Sequence, residues 1–154
     1  MTTLDLKQIQ ISSAIDLFSK GEINQALDAV QDLLKDYPNE PVLFNIKGAC
    51  YADLGQLDVA VTNYKEAITI KPDYAKAHFN LAGSLHDLGQ LETAVQSYQK
   101  AIEIDASYAE AYNNLGNVYQ ELKQVDSAVQ SYQKALEIKP DYVAAQYSLG
   151  NTFM

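Results

Sequence analysis

The chain has 154 residues, of which 47% are hydrophobic, and a formal net charge of −9. This size and apolar content support a folded domain with its own core. The acidic balance disfavours nucleic acid and membrane surfaces as partners, because both are bound through clustered Lys and Arg. A neutral to basic polypeptide is the partner class that the charge leaves open.

The sequence carries no recognisable address for export or membrane insertion. No apolar run approaches the roughly 20 residues that span a bilayer, and the first residues lack the basic start of a secretory signal. Cys50 is the single cysteine, so no intrachain disulfide can form and a reducing compartment is expected. We therefore expect a cytoplasmic protein.

The elements follow a repeat of about 34 residues, each unit predicting a helix, a turn and a second helix. In the first two units the turns fall at Gly21 and Gly55, and the second helices end at Pro38 and Pro72. In the third unit the turn falls at Gly89. The predicted repeats cover approximately residues 7–40, 41–74, 75–108 and 109–142, followed by the first helix of a further repeat over 143–154.

The fourth unit shows the helical spacing most clearly. Ala111, Leu115, Val118 and Leu122 recur at helical intervals, and Lys123 stands where the other units have the turn glycine. Each following first helix is expected to be capped by a polar residue; these residues are Asn39, Asp73, Ser107 and Asp141.

Small residues recur in register along the chain, which predicts that helix backbones approach closely there. One position of the first helices is held by glycine or alanine, and two positions of the second helices by alanine. The first set comprises Gly48, Ala82, Gly116 and Gly150; the others comprise Ala26, Ala60, Ala94 and Ala128, and Ala67, Ala101 and Ala135.

This arrangement resembles the tetratricopeptide repeat. Tyr112, Leu115-Gly116, Tyr119, Ala128, Tyr132 and Pro140 are similar to the pattern W-x2-L-G-x2-Y, A-x3-F and P, with Tyr replacing Trp and Phe. The resemblance implies an all-α fold, a right-handed superhelical solenoid, with residues 1–154 forming a single domain. The first unit fits least well, as a terminal repeat does.

The resemblance further implies that the first helices line a concave groove. Asparagine recurs at the groove positions, and its side chain can both donate to and accept from a peptide backbone. Asn80 and Asn114 resemble the asparagine ladder of O-linked N-acetylglucosamine transferases. The candidate peptide-binding asparagines are Asn45, Asn80, Asn113, Asn114, Asn117 and Asn151. The alternative is that these amides only bind water.

An acidic column occupies another groove position, with Asp53, Asp87 and Glu121 in successive units. Such a row favours Lys or Arg on a bound segment; the alternative is a solvated row of helix ends. The cations of the carboxylate clamp that captures chaperone tails are absent from the matching positions, so an acidic C-terminus is not the expected ligand.

Catalytic chemistry is not predicted. His78 and His86 do not form a metal site by themselves, and Cys50 lies within a helix without an evident base, as a buried structural thiol does. We expect no metal, no cofactor and no enzymatic activity.

The resulting hypothesis is a non-catalytic scaffold that binds an extended peptide or protein segment in its groove. Two alternatives remain: an N-terminal substrate-recruiting segment of a larger, glycosyltransferase-like enzyme, or a spacer that self-associates through its open C-terminal helix. That helix carries Tyr147, Leu149, Phe153 and Met154 and reads as the start of another repeat.

Overall fold

A computed structural model describes residues 2–154, and every regular element in that range is an α-helix. The elements are α1 (Thr3–Ser19), α2 (Ile23–Asp36), α3 (Pro41–Asp53), α4 (Leu57–Ile70), α5 (Ala75–Asp87), α6 (Leu91–Ile104), α7 (Ala109–Glu121), α8 (Val125–Ile138) and α9 (Val143–Thr152). The predicted all-α repeat architecture is confirmed, and α1 begins upstream of the predicted repeat start.

The helices form two compact halves, which from here on are called the first unit, up to Pro72, and the second unit, from Asp73 onwards. Each unit contains two of the predicted repeats, and the second unit also contains α9. In the first unit α1 contacts α2 and α3, and α3 pairs with α4. In the second unit α5 pairs with α6 and α7 with α8, while α9 packs on α8 and α7. The boundary lies next to the predicted boundary between the second and third repeats; a single domain over residues 1–154 stays a prediction.

The turns between first and second helices share one hydrogen-bonding pattern. After α7, the amide of Gln124 donates to the carbonyl of Tyr119 at 2.8 Å, and that of Lys123 to the carbonyl of Gln120 at 3.0 Å. This pairing places one residue in the left-handed region, where glycine is favoured. Three turns have glycine there, whereas Lys123 adopts φ of 62° with a side chain, so the fourth turn is strained.

The expected helix caps are wrong. The N-cap residues of α3, α5, α7 and α9 lie one position later, and none makes a side-chain cap hydrogen bond; they are Glu40, Tyr74, Tyr108 and Tyr142. Before α7, the amide and hydroxyl of Ser107 both donate to Oδ1 of Asp105, at 3.0 and 2.7 Å. The polar side chains therefore close this turn, one residue too early to cap the helix.

The small residues lie where the helices approach most closely. The alanines at both second-helix positions are fully buried; they are Ala26, Ala60, Ala94 and Ala128, with Ala67, Ala101 and Ala135. At Gly116 an added Cβ would lie 2.5 Å from a ring carbon of Tyr132, and at Gly48 it would lie 2.6 Å from Tyr64. A tyrosine of the second helix thus packs directly against the glycine of the first.

Candidate functional site

The first helices of the second unit lie side by side, since α5 contacts α7 and α7 contacts α9. Their shared surface, here called the first-helix face, contains the partly exposed side chains of Asn80, Asn114, Asn117 and Ser148. Two contacts join neighbouring helices on this face. His86 Nε2 lies 2.6 Å from Oε1 of Glu121, and the Ser148 hydroxyl lies 3.5 Å from Oδ1 of Asn117.

The side chain of Asn117 is hydrogen-bonded to α8, the second helix of its own repeat. The Tyr132 hydroxyl lies 2.8 Å from Oδ1 of Asn117 and 3.0 Å from Oε1 of Gln120. A hydroxyl has one hydrogen and donates to one of these oxygens at a time. With Oδ1 of Asn117 engaged by hydroxyl groups, its NH2 group is the part left to meet a ligand; it has no hydrogen-bond partner within residues 2–154.

A second tyrosine hydroxyl, one repeat earlier, meets an asparagine of the next repeat, as Tyr132 meets Ser148. The Tyr98 side chain of α6 is hydrogen-bonded to Asn114 of α7, and Nδ2 of Asn113 donates to Oδ1 of Asn114 at 3.3 Å. Burial raises the pKa of Tyr98 to about 12, although the hydrogen bond from Asn114 lowers it. Burial also raises the pKa of Tyr132. Both hydroxyls therefore stay protonated near neutral pH and keep their donor hydrogen.

Two of the candidate asparagines lie beneath the surface. Asn45 is 7% exposed in the first unit, and Asn113 is 5% exposed in the second. Oδ1 of Asn113 is buried without a hydrogen-bond partner in the part of the chain that the structure describes. These two amides are not presented to a ligand in this conformation, unlike those of Asn114 and Asn117.

The remaining candidates lie at or near the surface. Asn80 and Asn151 are partly exposed, and Asp53, Asp87 and Glu121 are exposed. Each acidic residue is the last residue of its helix, where the helix dipole already carries partial negative charge. The carboxylates therefore add to a negative potential instead of neutralising it.

The first unit carries a different surface. Leu4, Ile11 and Val42 line a cleft of about 400 Å³ between α1 and the start of α3. Lys7 and Glu40, which also line it, form an ion pair with each other. Gln8 and Ser12 line the cleft as well, so it offers apolar and uncharged polar contacts and no unbalanced charge.

The single cysteine and the two histidines are each buried or paired. Cys50 is fully buried, as expected, and burial raises the pKa of its thiol to about 11. His78 is also buried, and His86 is paired with Glu121. Residues 2–154 contain no group of three or more His, Cys, Asp or Glu side chains placed to hold a metal ion.

From the sequence, the recurring tyrosines were used only as members of the repeat pattern, and their hydroxyl contacts were missed. The signal was available, because the repeat pattern has Phe where this chain has Tyr98 and Tyr132. A hydroxyl on a core ring requires a partner, and the asparagines of the first-helix face supply it.

Successive helix-turn-helix units that pack through glycine and alanine define a helical-repeat protein of the interaction-module class. A family model described as TPR repeat matches residues 48–86 and 83–123, and one described as Tetratricopeptide repeat matches residues 109–142. The chain belongs to the tetratricopeptide repeat family, whose solenoid fold is thereby confirmed.

The chain is similar to known proteins over part or most of its length. The peroxisomal targeting signal receptor of Saccharomyces cerevisiae is 27% identical over 84 residues, which cover 54% of this chain and 14% of the receptor. The crystal structure of MamA protein has a TM-score of 0.82 and 27% identity, covering 96% of this chain and 80% of that one.

A further neighbour is the first TPR of Spaghetti (RPAP3) bound to an HSP90 peptide, with a TM-score of 0.73 and 23% identity. It covers 74% of this chain and 90% of that one, and the likeness concerns the fold. Within residues 2–154, no helix combines the length and hydropathy needed to cross a membrane.

Proposed function

We propose that the chain is a protein-interaction module that holds an extended, neutral to basic peptide segment on the first-helix face of its second unit. The observation that carries this proposal is the support of Asn117 by Tyr132 at 2.8 Å. An amide whose oxygen is already engaged presents its NH2 group in a fixed direction, ready to donate to a backbone carbonyl.

Asn114 supplies a second oriented amide on the same helix: its oxygen accepts from Asn113 and its NH2 group donates to Tyr98, which leaves one N–H for a ligand. Asn114 and Asn117 are three residues apart and therefore neighbours on the helix surface. Amides that hydrogen-bond to the main chain of a peptide distinguish little between sequences. We therefore expect modest affinity and broad tolerance of the side chains of the peptide.

The acidic residues of the first-helix face add a preference for basic side chains on the ligand, which the asparagine amides do not provide. Asp87 and Glu121 end neighbouring first helices, and Nε2–H of His86 holds the Glu121 carboxylate in place at 2.6 Å. A bound segment with Lys or Arg near these carboxylates gains attraction that salt screens.

The comparisons support the coarser part of this proposal. A receptor for targeting signals and a repeat domain bound to an HSP90 peptide are both similar to the chain. The first-helix face of this chain carries the acidic residues Asp87 and Glu121, which would repel an acidic tail. An uncharged or basic segment is therefore the proposed ligand.

The test is selection of linear peptides from a random displayed library by the whole chain, followed by affinity measurement on the selected peptides. The Asn114→Ala/Asn117→Ala variant should bind them at least about tenfold more weakly, a loss of roughly 1.4 kcal/mol. The matched control is Gln96→Ala/Gln133→Ala, which removes two exposed amides from second helices α6 and α8.

Equal affinity for both variants would place the binding surface elsewhere. Failure of the unmodified chain to select any peptide would overturn linear-peptide binding itself. Helical content measured by circular dichroism must be unchanged for the comparison between variants to count.

A further inference from the structure

The first-helix face of the second unit has a gap at Gly83. This residue lies on α5 at the position that Asn117 occupies one repeat later on α7. In the fourth repeat the Asn117 side chain fills that position, and its Oδ1 lies 2.8 Å from the Tyr132 hydroxyl. Gly83 is partly exposed, and the nearest atom to a Cβ added there is the Tyr98 hydroxyl oxygen, at 3.8 Å. The third repeat therefore leaves open a space that the fourth repeat fills with its own side chain.

A carboxylate borders the gap on one side. Asp87 follows Gly83 by one helical turn, and because helical side chains lean toward the N-terminus, the Asp87 side chain extends back toward the gap. Burial raises the pKa of Tyr98 and the charge of Asp87 raises it further, so the carboxylate lies near the hydroxyl in the gap. Within residues 2–154 no cation forms an ion pair with Asp87, whereas Glu121, its equivalent on α7, is paired with His86. The charge of Asp87 is therefore available to a ligand.

An aromatic ring borders the gap on the other side. Phe79 precedes Gly83 by one helical turn and stacks on Tyr108, with ring centroids 4.8 Å apart and 26° between the ring planes. It also meets Tyr98 edge to face, with centroids 5.8 Å apart. Both contacts hold the Phe79 ring in place while it remains partly exposed. The gap thus has an apolar wall at one end and a negative charge at the other.

This combination fits a Lys or Arg side chain of a bound peptide. Such a side chain has an apolar stem and a charged end, and it can span the roughly 5–6 Å of helix axis between Gly83 and Asp87. The Nζ of Lys76 lies 5.7 Å from the Phe79 ring centroid. Because Lys76 precedes Asp87 by roughly three helical turns, it does not neutralise that carboxylate. An acidic side chain would be repelled by Asp87 and by the net charge of −9.

We propose that the gap at Gly83 is a side-chain pocket that selects Lys or Arg at one position of the bound peptide, through Phe79 and Asp87. The pocket depends on the proposed function, because it acts on a segment that the asparagine amides hold. The fourth repeat has no equivalent pocket, since Asn117 fills the corresponding position. The preference is therefore for a single basic residue and not for a run of them.

Parallel selections from one random displayed library of linear peptides test the pocket. The whole unmodified chain, Gly83→Asn and Asp87→Asn each serve as bait, and the selected peptides are sequenced. The unmodified chain should enrich Lys or Arg at one position by about threefold to fivefold, the effect of an exposed charge pair. Both variants should still select peptides but lose this enrichment.

The two variants act on different parts of the pocket. Gly83→Asn gives the third repeat the residue of the fourth, which fills the gap without introducing a side chain that the first-helix face does not already carry. Asparagine is also a better helix former than glycine, and the nearest neighbour of its Cβ lies at an ordinary contact distance of 3.8 Å. Gly150→Asn makes the same substitution at an open position of α9 and is the control that should keep the enrichment.

The outcomes distinguish the pocket from the proposed function. Peptides selected by the unmodified chain without enrichment of a basic residue would overturn the pocket and leave peptide binding standing. Enrichment that persists in either Gly83→Asn or Asp87→Asn would also overturn it, because the gap and the carboxylate must act together. Selection of no peptide by the unmodified chain would overturn both the pocket and the proposed function.

Discussion

The fourth repeat and α9 present the same first-helix pattern in two states, one covered by a second helix and one not. In the fourth repeat, the Tyr132 ring closes over Gly116 and its hydroxyl reaches Asn117. On α9, the space over Gly150 is open. One side chain of the second helix, Tyr132, therefore has two roles: its ring completes the packing and its hydroxyl orients an amide on the first-helix face.

The largest difference between the fourth repeat and α9 should appear when Gly116 and Gly150 are each replaced, because only Gly116 has a ring packed over it. Gly116→Ala forces the Tyr132 ring to move and should destabilise the fold by about 1–2 kcal/mol, the overpacking cost less the helix-propensity gain of alanine. Gly150→Ala should instead be neutral or stabilising by up to about 1 kcal/mol, since its Cβ meets nothing. Urea unfolding of both variants measures the difference, and equal effects would contradict it.

The third repeat indicates that the destabilisation by Gly116→Ala comes from the forced movement of the Tyr132 ring and not from an alanine at that position as such. Ala82 occupies the glycine position there and Tyr98 the tyrosine position, and both are buried, so this repeat pattern can accommodate a methyl group. Tyr132 is tied by its hydroxyl to Asn117 and Gln120. Gly116→Ala should therefore also weaken peptide binding, and binding unchanged by this variant would show that the ring and the amide are uncoupled.

Removal of the hydroxyl alone should sharpen the comparison. Tyr132→Phe keeps the ring over Gly116 but frees the amide of Asn117, so stability should fall by about 1 kcal/mol. Affinity for a selected peptide should fall several-fold, because the amide must then be ordered on binding. Titration calorimetry checks this, with Tyr147→Phe on α9 as the control that has no hydroxyl contact to lose. Equal affinity of Tyr132→Phe and the unmodified chain would contradict a positioning role for the hydroxyl.

Removal of the backbone strain in the turn before α8 should stabilise the fourth repeat, in which α8 covers α7. Lys123→Gly removes a side chain from a residue with φ of 62° and should stabilise the fold by about 1 kcal/mol. The gain should appear in urea unfolding without a change in peptide affinity. Destabilisation would mean that the Lys123 side chain makes a stabilising contact that outweighs its backbone strain.

The smallest effect should come from the acidic edge of the first-helix face. Asp87→Asn/Glu121→Gln removes two exposed charges, and exposed pairs contribute at most about 1 kcal/mol each. Affinity for Lys-containing peptides should fall a few-fold at low salt and converge with that of the unmodified chain at high salt. A loss that persists at high salt would indicate direct hydrogen bonding instead of attraction between charges.

The fold was predictable because its determinants are local and repeated. The turn glycines, the buried alanines and the helix-ending prolines each specify a backbone feature within one repeat, and repetition removes ambiguity. The cap predicted at Ser107 was wrong because Ser107 and Asp105 hydrogen-bond to each other across the turn, a contact that propensity alone does not reveal.

The candidate site was predictable only as a set of positions. The asparagines of α7 share one helix, yet Asn113 is buried while Asn117 reaches the surface. That distinction depends on where α8 and α9 pack, which a single helix does not encode. The role of Tyr132 depends on the same packing, since its hydroxyl meets an amide fifteen residues earlier in the chain.

Amide NMR during titration with a selected peptide follows the asparagine side chains themselves. The NH2 resonances of Asn114 and Asn117 should shift in step with binding, while those of Gln96 and Gln133 stay in place. Shifts confined to the second-helix glutamines, with Asn114 and Asn117 unmoved, would contradict peptide binding on the first-helix face.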